Sequence, residues 1–432
     1  MKISRRFACA AVPLVLAGAV LHAQDPLARI EQEVAKVTPA VTEIRHQLHQ
    51  NPELSNREEK TAALVADYLR KLGLEVQTGV ARHGVVALLK GGRPGPVVAV
   101  RADMDALPVT EDPSMPFASR VRATYMGQEV GVMHACGHDI HTAVQLGVAS
   151  VLSSMKATLP GTVKFIFQPA EEGPPPGEAG GASLMVKEGA LQNPRPQAIF
   201  GLHTMSEMPV GEIGYSEGPA LSASDTWEVK IVGRQAHGAR PELSVDPVVT
   251  AAQFVQALQT VRSRTFSGHE PGVVTIGTIH GGERHNIIPG AVTLSGTIRT
   301  FRGEMSTLAE ARLRAILKGV TEAAGATGEV VRYVRGAPAT INDDRLTRES
   351  VPSLERALGK GRVKRIPPSM ASEDFSFFAS EVPGFFYRLG QVKAGTTSGD
   401  HHTPTYLADD SAIPVGIKAM SLVIADFLSR TK

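Results

Sequence analysis

Three apolar runs, each ending in acid or imidazole, constrain this chain more than any other feature. Residues 97–100 (Val-Val-Ala-Val) lead into Arg101-Ala102-Asp103-Met104-Asp105, residues 163–167 into Gln168-Pro169-Ala170-Glu171-Glu172, and residues 198–202 into His203. Continuous runs this short, rich in Val, Ile and Phe, predict strands buried on both faces, which is the signature of a parallel sheet covered by helices. In open α/β sheets, ligands gather beyond the carboxyl ends of the strands. Three ends carrying ligand-type side chains therefore predict one composite site.

Between the first two runs lies a segment holding His134, Cys136, His138 and His141. A thiolate and an imidazole two residues apart are a natural ligand pair for a borderline metal such as zinc. The apolar helical stretch that follows, 143–155, predicts that the cluster sits at a helix N-terminus. His203, and His401 and His402 in the 400–404 segment, supply distant partners, and spacing does not rank the last two. Adjacent carboxylates point in different directions, so one of Glu171 and Glu172 can bind metal while the other accepts a proton from water. Spacing does not say which does which.

The N-terminus is different in kind. Lys2, Arg5 and Arg6 precede an apolar stretch from 7 to 21, a secretory signal pattern too short for a comfortable membrane span. Residues 1–23 are expected to be removed, giving an exported protein, periplasmic or secreted, without a membrane anchor; no later segment is read as reaching transmembrane length. The chain has 45 basic and 43 acidic residues, so losing that segment brings it close to neutrality, without the positive field nucleic-acid binding needs. It also removes Cys9, leaving Cys136 as the only thiol. An unpaired thiol in an exported protein calls for an explanation, and metal ligation supplies one.

At 432 residues, two domains are expected. Helices are predicted over 27–48, with Pro39 kinking or dividing the first, and over 58–72; His46 and His49 on the first are read as structural. From about 219 the pattern changes: strand 226–232, helix 247–261, strands 273–279 and 292–298, helix 308–323, strand 329–334. That β-α-β-β-α-β order is ferredoxin-like. The expected fold is α/β: a mixed-sheet catalytic domain, 24–218 and 336–432, with an inserted ferredoxin-like α+β domain at 219–335.

These segments closely resemble the dinuclear metal amidohydrolases, a family that includes hippurate hydrolases, auxin-conjugate hydrolases, aminoacylases and glutamate carboxypeptidase. The resemblance runs through residues 101–108, 134–139, 169–172, 201–203, 236–241, 286–289, 372–375 and 402–404, in order over nearly all the mature chain. It implies Cys136, His138, Glu172, His203 and His402 as ligands of two divalent ions per subunit (Zn²⁺ or Mn²⁺, with Co²⁺ or Ni²⁺ as alternatives), Cys136 bridging. It implies Glu171 as general base and Asp105 as an orienting aspartate. Asp103 stands where other branches carry a metal-binding histidine, and Thr403 replaces the usual serine. The inserted domain becomes a lid and dimerisation domain, with His237 reaching a neighbouring subunit's site as an oxyanion donor and Asn286 and Arg299 holding the substrate carboxylate. The implied activity is hydrolysis of N-acyl amino acids by a homodimer or higher oligomer. The rivals are a carboxypeptidase or dipeptidase, and a non-catalytic binding protein on the same fold.

Overall fold

The computed structural model describes residues 25–112 and 115–430; the expected signal segment, 1–23, lies outside them. An eight-stranded sheet forms the larger layer. Its order is Glu75–Val80, Gly84–Lys90, Pro160–Gln168, Arg93–Asp103, Ala198–Pro209, Gly384–Val392, Ile213–Tyr215 and Val363–Arg365. The four central strands are mutually parallel, and antiparallel pairings join them to the outer strands. All three apolar runs are therefore central strands of one mixed sheet, and their acid- or imidazole-bearing ends lie side by side.

Pro26–Gln50, His138–Ser154 and Ala412–Arg430 pack on one face through Ile30, Val41, Leu146, Ile417 and Leu422. Pro26–Gln50 starts with Asp25 accepting from the Leu27 amide and with proline in its first turn, where no N–H is needed. Pro39 lies inside it without dividing it, because the buried stripe of Ile30, Val34, Val41 and Leu48 holds both halves on the same neighbours. Gly147 marks a close helix crossing: a Cβ there would lie 2.3 Å from Ile417 Cδ1. Ala412–Arg430 is long and apolar enough to span a membrane, contrary to the sequence reading, and its length is spent in the core, where most of it is buried. On the opposite face, Gly181–Lys187 and Phe375–Ala379 close a smaller core around Met185, Phe375 and Phe386.

Lys164 lies within this buried sheet without an acid partner among the described residues. Its Nζ donates to the carbonyls of Ala190 and Gln192, and burial lowers its pKa from the ordinary 10.5 to about 8. A neutral amine keeps two N–H donors, enough for both carbonyls. Between pH 8 and 10.5 the unfolded chain binds more protons than the folded one, so this residue's contribution to stability rises with pH. Denaturant titrations should show the native protein gaining on the order of 3 kcal/mol relative to Lys164→Met across that window. A stability difference that stays flat with pH would remove the assignment.

The second layer is an antiparallel sheet in the order Gly272–His280, Ala291–Thr300, Ala223–Val232, Thr327–Arg335. Pro247–Thr260 and Gly303–Ala324 cover one face, with Trp227, Phe254, Leu294 and Leu313 between. This is the ferredoxin-like arrangement that the sequence order predicts. Ala223–Val232 alternates buried and half-exposed positions, as expected of a strand with one face on a core. The chain enters and leaves this unit side by side: Gly218–Leu221 pairs antiparallel with Thr340–Asn342, and Ser224 exchanges backbone hydrogen bonds with Gly336 and Ala337. The uncovered face, with Thr226, Val273, Thr275, Thr297 and Arg299, looks into a cleft of about 1400 Å³ whose other wall is the end of the large sheet.

Candidate metal centre and active site

Gly137 turns the backbone into His138–Ser154 at φ 86°, so the cluster does stand at a helix N-terminus. A Cβ at Gly137 would lie 2.3 Å from Thr204 Oγ1 and 2.5 Å from Tyr406 Oη, so only glycine fits both the conformation and the space. This close turn carries Cys136 to the cleft lining and His138 into the buried wall behind it.

The carboxylate pair is placed by Asp105. Its Oδ1 accepts from the Glu171 amide and its Oδ2 from the Glu172 amide, each at 3.0 Å, while Ser55 Oγ donates to Oδ2 at 2.7 Å. Ala170, at φ 53°, makes the turn and donates its amide to Glu58 Oε1 at 2.8 Å. The same aspartate orients an imidazole: His138 Nδ1 lies 2.8 Å from the Asp105 carbonyl and 3.3 Å from Oδ1. With Nδ1 as donor, the His138 Nε2 lone pair faces the cluster. His203 repeats the device, its Nδ1 donating to the Thr204 carbonyl at 2.7 Å and leaving Nε2 3.3 Å from Cys136 Sγ.

Two groups of ligand atoms share the thiol. Cys136, His138 and Glu172 form one and Cys136, His203 and His401 the other, with each group's atoms within 4.8 Å of one another. His402 Nε2 joins the first, 3.1 Å from Glu172 Oε1. The donor set fits divalent ions on an independent ground: His138 Nε2 is buried without a hydrogen bond, its nearest carboxylate oxygens 3.8 to 3.9 Å away. Buried polar atoms rarely go unpaired. The electrostatics agree, since burial, then Glu172, Glu171 and Asp103, push the Cys136 thiol well above its ordinary value. Burial, then Glu373, Glu172 and Asp374, push the Glu171 carboxyl up likewise. Such a concentration of acid groups is suited to positive charge.

The structure thus brings together Cys136, His138, Glu171, Glu172, His203, His402 and Asp105. It also separates the histidines that spacing left unranked: His402 meets Glu172, while His401 stands beside His203 with Nδ1 3.2 Å from Ser206 Oγ. His141 is fully engaged, by Asp103 Oδ1 at 2.6 Å and the Thr204 amide at 2.8 Å. Asp103 is held by His141 and by Arg101, whose Nη1 lies 2.7 Å from Oδ2. His49 is buried between Asp139 and Glu111, and His46 pairs with Asp410, in keeping with structural roles for both.

Arg299 and Asn286, both expected on the substrate carboxylate, stand apart within one chain. Arg299 lines the cleft of its own chain. Asn286 does not; it is exposed beside His237, where Ala236–His237 pairs with Ile287–Ile288 and the Gly238 amide donates to the Asn286 carbonyl at 2.8 Å. This short pairing of distant segments keeps Asn286 with His237, also exposed, and apart from the residues that line the cleft of the same chain.

Sequence reasoning passed over Glu58 and Arg388, and gave no role to Glu373 and Asp374 within the 372–375 motif. Glu373 and Asp374 flank Arg101 at 2.9 and 3.1 Å, and the Asp374 amide lies 3.4 Å from Glu171 Oε1. Arg388 had a usable signal: it follows the apolar run 384–387 as Arg101 follows 97–100.

A mixed α/β sheet with a thiol, imidazoles and carboxylates gathered at its strand ends, facing a deep cleft, defines a metal-dependent hydrolase. Residues 99–426 match the peptidase family M20/M25/M40, and the chain belongs to that family. It is 36% identical over 372 residues to an N-acetyl-L-cysteine deacetylase of Bacillus subtilis, covering 86% of this chain and 84% of that one. It is 34% identical over 409 residues to thermostable carboxypeptidase 2 of Saccharolobus solfataricus, covering 94% and 100%. The crystal structure of the Bacillus subtilis YXEP protein, described as a dinuclear metal binding peptidase, superposes with a TM-score of 0.76 at 32% identity, covering 91% and 99%.

Proposed function

We propose that this enzyme hydrolyses the amide bond of N-acyl amino acids to a carboxylic acid and a free amino acid. The observation that carries the reading is the placement of Glu171, Cys136, Glu172, His203 and His402 on one wall of the cleft, backed by the buried His138, with Arg299 on the same cleft's lining. Two divalent ions held by that cluster, Zn²⁺, Mn²⁺, Co²⁺ or Ni²⁺, supply Lewis acidity and a water of lowered pKa when bound. Glu171 takes the proton of the attacking water and returns it to the leaving nitrogen. Arg299 holds the amino-acid carboxylate by a charge-assisted fork. Asp105 keeps Glu171 and Glu172 apart in direction by holding both amides. His237, with Asn286 beside it, is assigned to the cleft of a second copy in a homodimer or higher oligomer, where its imidazole stabilises the oxyanion. The deacetylase relative supports cleavage of an acyl group; the carboxypeptidase relative supports short peptides as the second reading. The signal pattern in 1–23 supports action outside the cytoplasm.

Chelation should abolish turnover, and Mn²⁺, Co²⁺ or Zn²⁺ should restore it. Assay of the reconstituted enzyme on N-acetyl, N-benzoyl and indole-acetyl amino acids beside dipeptides tests the substrate class. Turnover of dipeptides alone would replace the proposal with the second reading, and turnover of none would favour a binding protein on this fold.

A further inference from the structure

The proposed reaction gives Arg299 the amino-acid carboxylate and leaves a second guanidinium in the cleft without a task. Arg388 lies on Gly384–Val392, in register with His203 on the neighbouring parallel strand, and lines the cleft half-buried. Its guanidinium carbon stands 5.5 Å from the centre of the Phe386 ring. Among the described residues, no carboxylate lies within ion-pair distance of Arg388 and no acceptor takes a hydrogen bond from it. Other arginines in or behind this cleft are paired: Arg335 with Glu310 at 2.8 Å, and Arg101 with Asp103 at 2.7 Å and Glu373 at 2.9 Å. Glu373 and Glu171 act on Arg388 only at longer range, and Glu373 Oε1 is already taken by Arg101. Arg299 is likewise without an acid partner among the described residues, and burial lowers its pKa.

Withdrawing a guanidinium from water without a counter-ion is costly, and the cost is offset when an anion arrives. An arginine fork whose plane is steadied by an aromatic ring suits a carboxylate in particular. We propose that Arg388 receives a second carboxylate of the substrate, so that the preferred substrates are N-acyl amino acids with two carboxylates, one on Arg299 and the other on Arg388. The inference rests on the amidohydrolase reading above. The second carboxylate has two chemical sources: an acidic amino-acid side chain, or a dicarboxylic acyl group.

The test compares kcat/KM for matched pairs on metal-reconstituted enzyme: N-acetylglutamate against N-acetylglutamine, and N-succinylalanine against N-butyrylalanine. The native enzyme should prefer the dicarboxylate of one pair by roughly 10- to 100-fold, the scale of one charge-assisted contact. That ratio should collapse toward one in Arg388→Leu and fall part-way in Arg388→Lys, and the pair affected identifies the source. A ratio near one in the native enzyme for both pairs overturns the proposal. So does a ratio that survives in Arg388→Leu while all four substrates slow together, which would make Arg388 a counter-charge for Glu171 and Cys136. Calorimetric titration of the holoenzyme with glutarate and butyrate separates this inference from the activity on which it rests. Glutarate should bind more tightly than butyrate to the native enzyme and lose that advantage in Arg388→Leu. If no N-acyl amino acid is hydrolysed, the proposed function fails and the titration still decides Arg388: equal glutarate affinity in native and variant protein overturns its role.

Discussion

Glu171→Gln should lower kcat by roughly 10²- to 10⁴-fold while leaving the metal content of the protein unchanged. The expectation follows from position. The Glu171 carboxylate lies in the cleft beside the cluster, its Oε2 3.8 Å from His138 Nε2, and its amide is fixed by Asp105 rather than by its own side chain. Glutamine keeps the size of the side chain and the backbone clamp, and loses only the capacity to take a proton. The matched variant Glu172→Gln should behave differently, because Glu172 Oε1 stands among candidate ligand atoms; there the bound metal itself should fall. Steady-state kinetics with elemental analysis of both variants distinguishes the two adjacent residues. Full activity in Glu171→Gln would remove the assigned base.

The second large effect is on stability. Arg101 is wholly buried, with Nη1 on Asp103, Nη2 on Glu373 and Asp374, and Nε donating to Gln168 Oε1 at 2.7 Å. All five N–H donors of a guanidinium can be used in such a setting. Arg101→Met would leave three carboxylates under or beside the cleft without their shared cation. Breaking a buried pair from one side costs about 3–5 kcal/mol, far more than an intact pair contributes over an apolar replacement. The unfolding midpoint in urea should fall accordingly. Arg101→Lys should recover part of the loss, because it restores the charge without the fork. A midpoint for Arg101→Met within about 1 kcal/mol of the native value would show that the three acids are neutralised by other means.

Much of this architecture is legible in the sequence because the strands are buried on both faces. Their apolar runs are short and followed within four residues by Asp103, Glu171 or His203, so the order of elements also locates the site. Cys136 is legible as the one thiol left after the expected signal segment. Other assignments depend on relations that no local pattern contains. Asp105 holds the amides of Glu171 and Glu172 across two neighbouring strands, and only the parallel register of Arg93–Asp103 with Pro160–Gln168 makes that reach short. His401 and His402 differ only in which side of Cys136 each approaches, a consequence of the loop geometry around His402 at φ 65°. The separation of Arg299 from Asn286 depends on a two-residue pairing between Ala236–His237 and Ile287–Ile288, too short to show periodicity.

The place of Gly384–Val392 has a kinetic consequence. This strand sits between Ala198–Pro209 and Ile213–Tyr215, although the whole ferredoxin-like unit intervenes along the chain. Pairings between such distant segments bear a large loop-closure entropy and slow the approach to the native state. The antiparallel unit can close its own sheet while the larger one still lacks a central strand. Cys136 and His138 belong to the early part of the chain, and His402 follows the late strand, so capture of ions by the complete set must wait for that last long-range pairing. A chain interrupted before it retains several of the donors and none of the assembled centre.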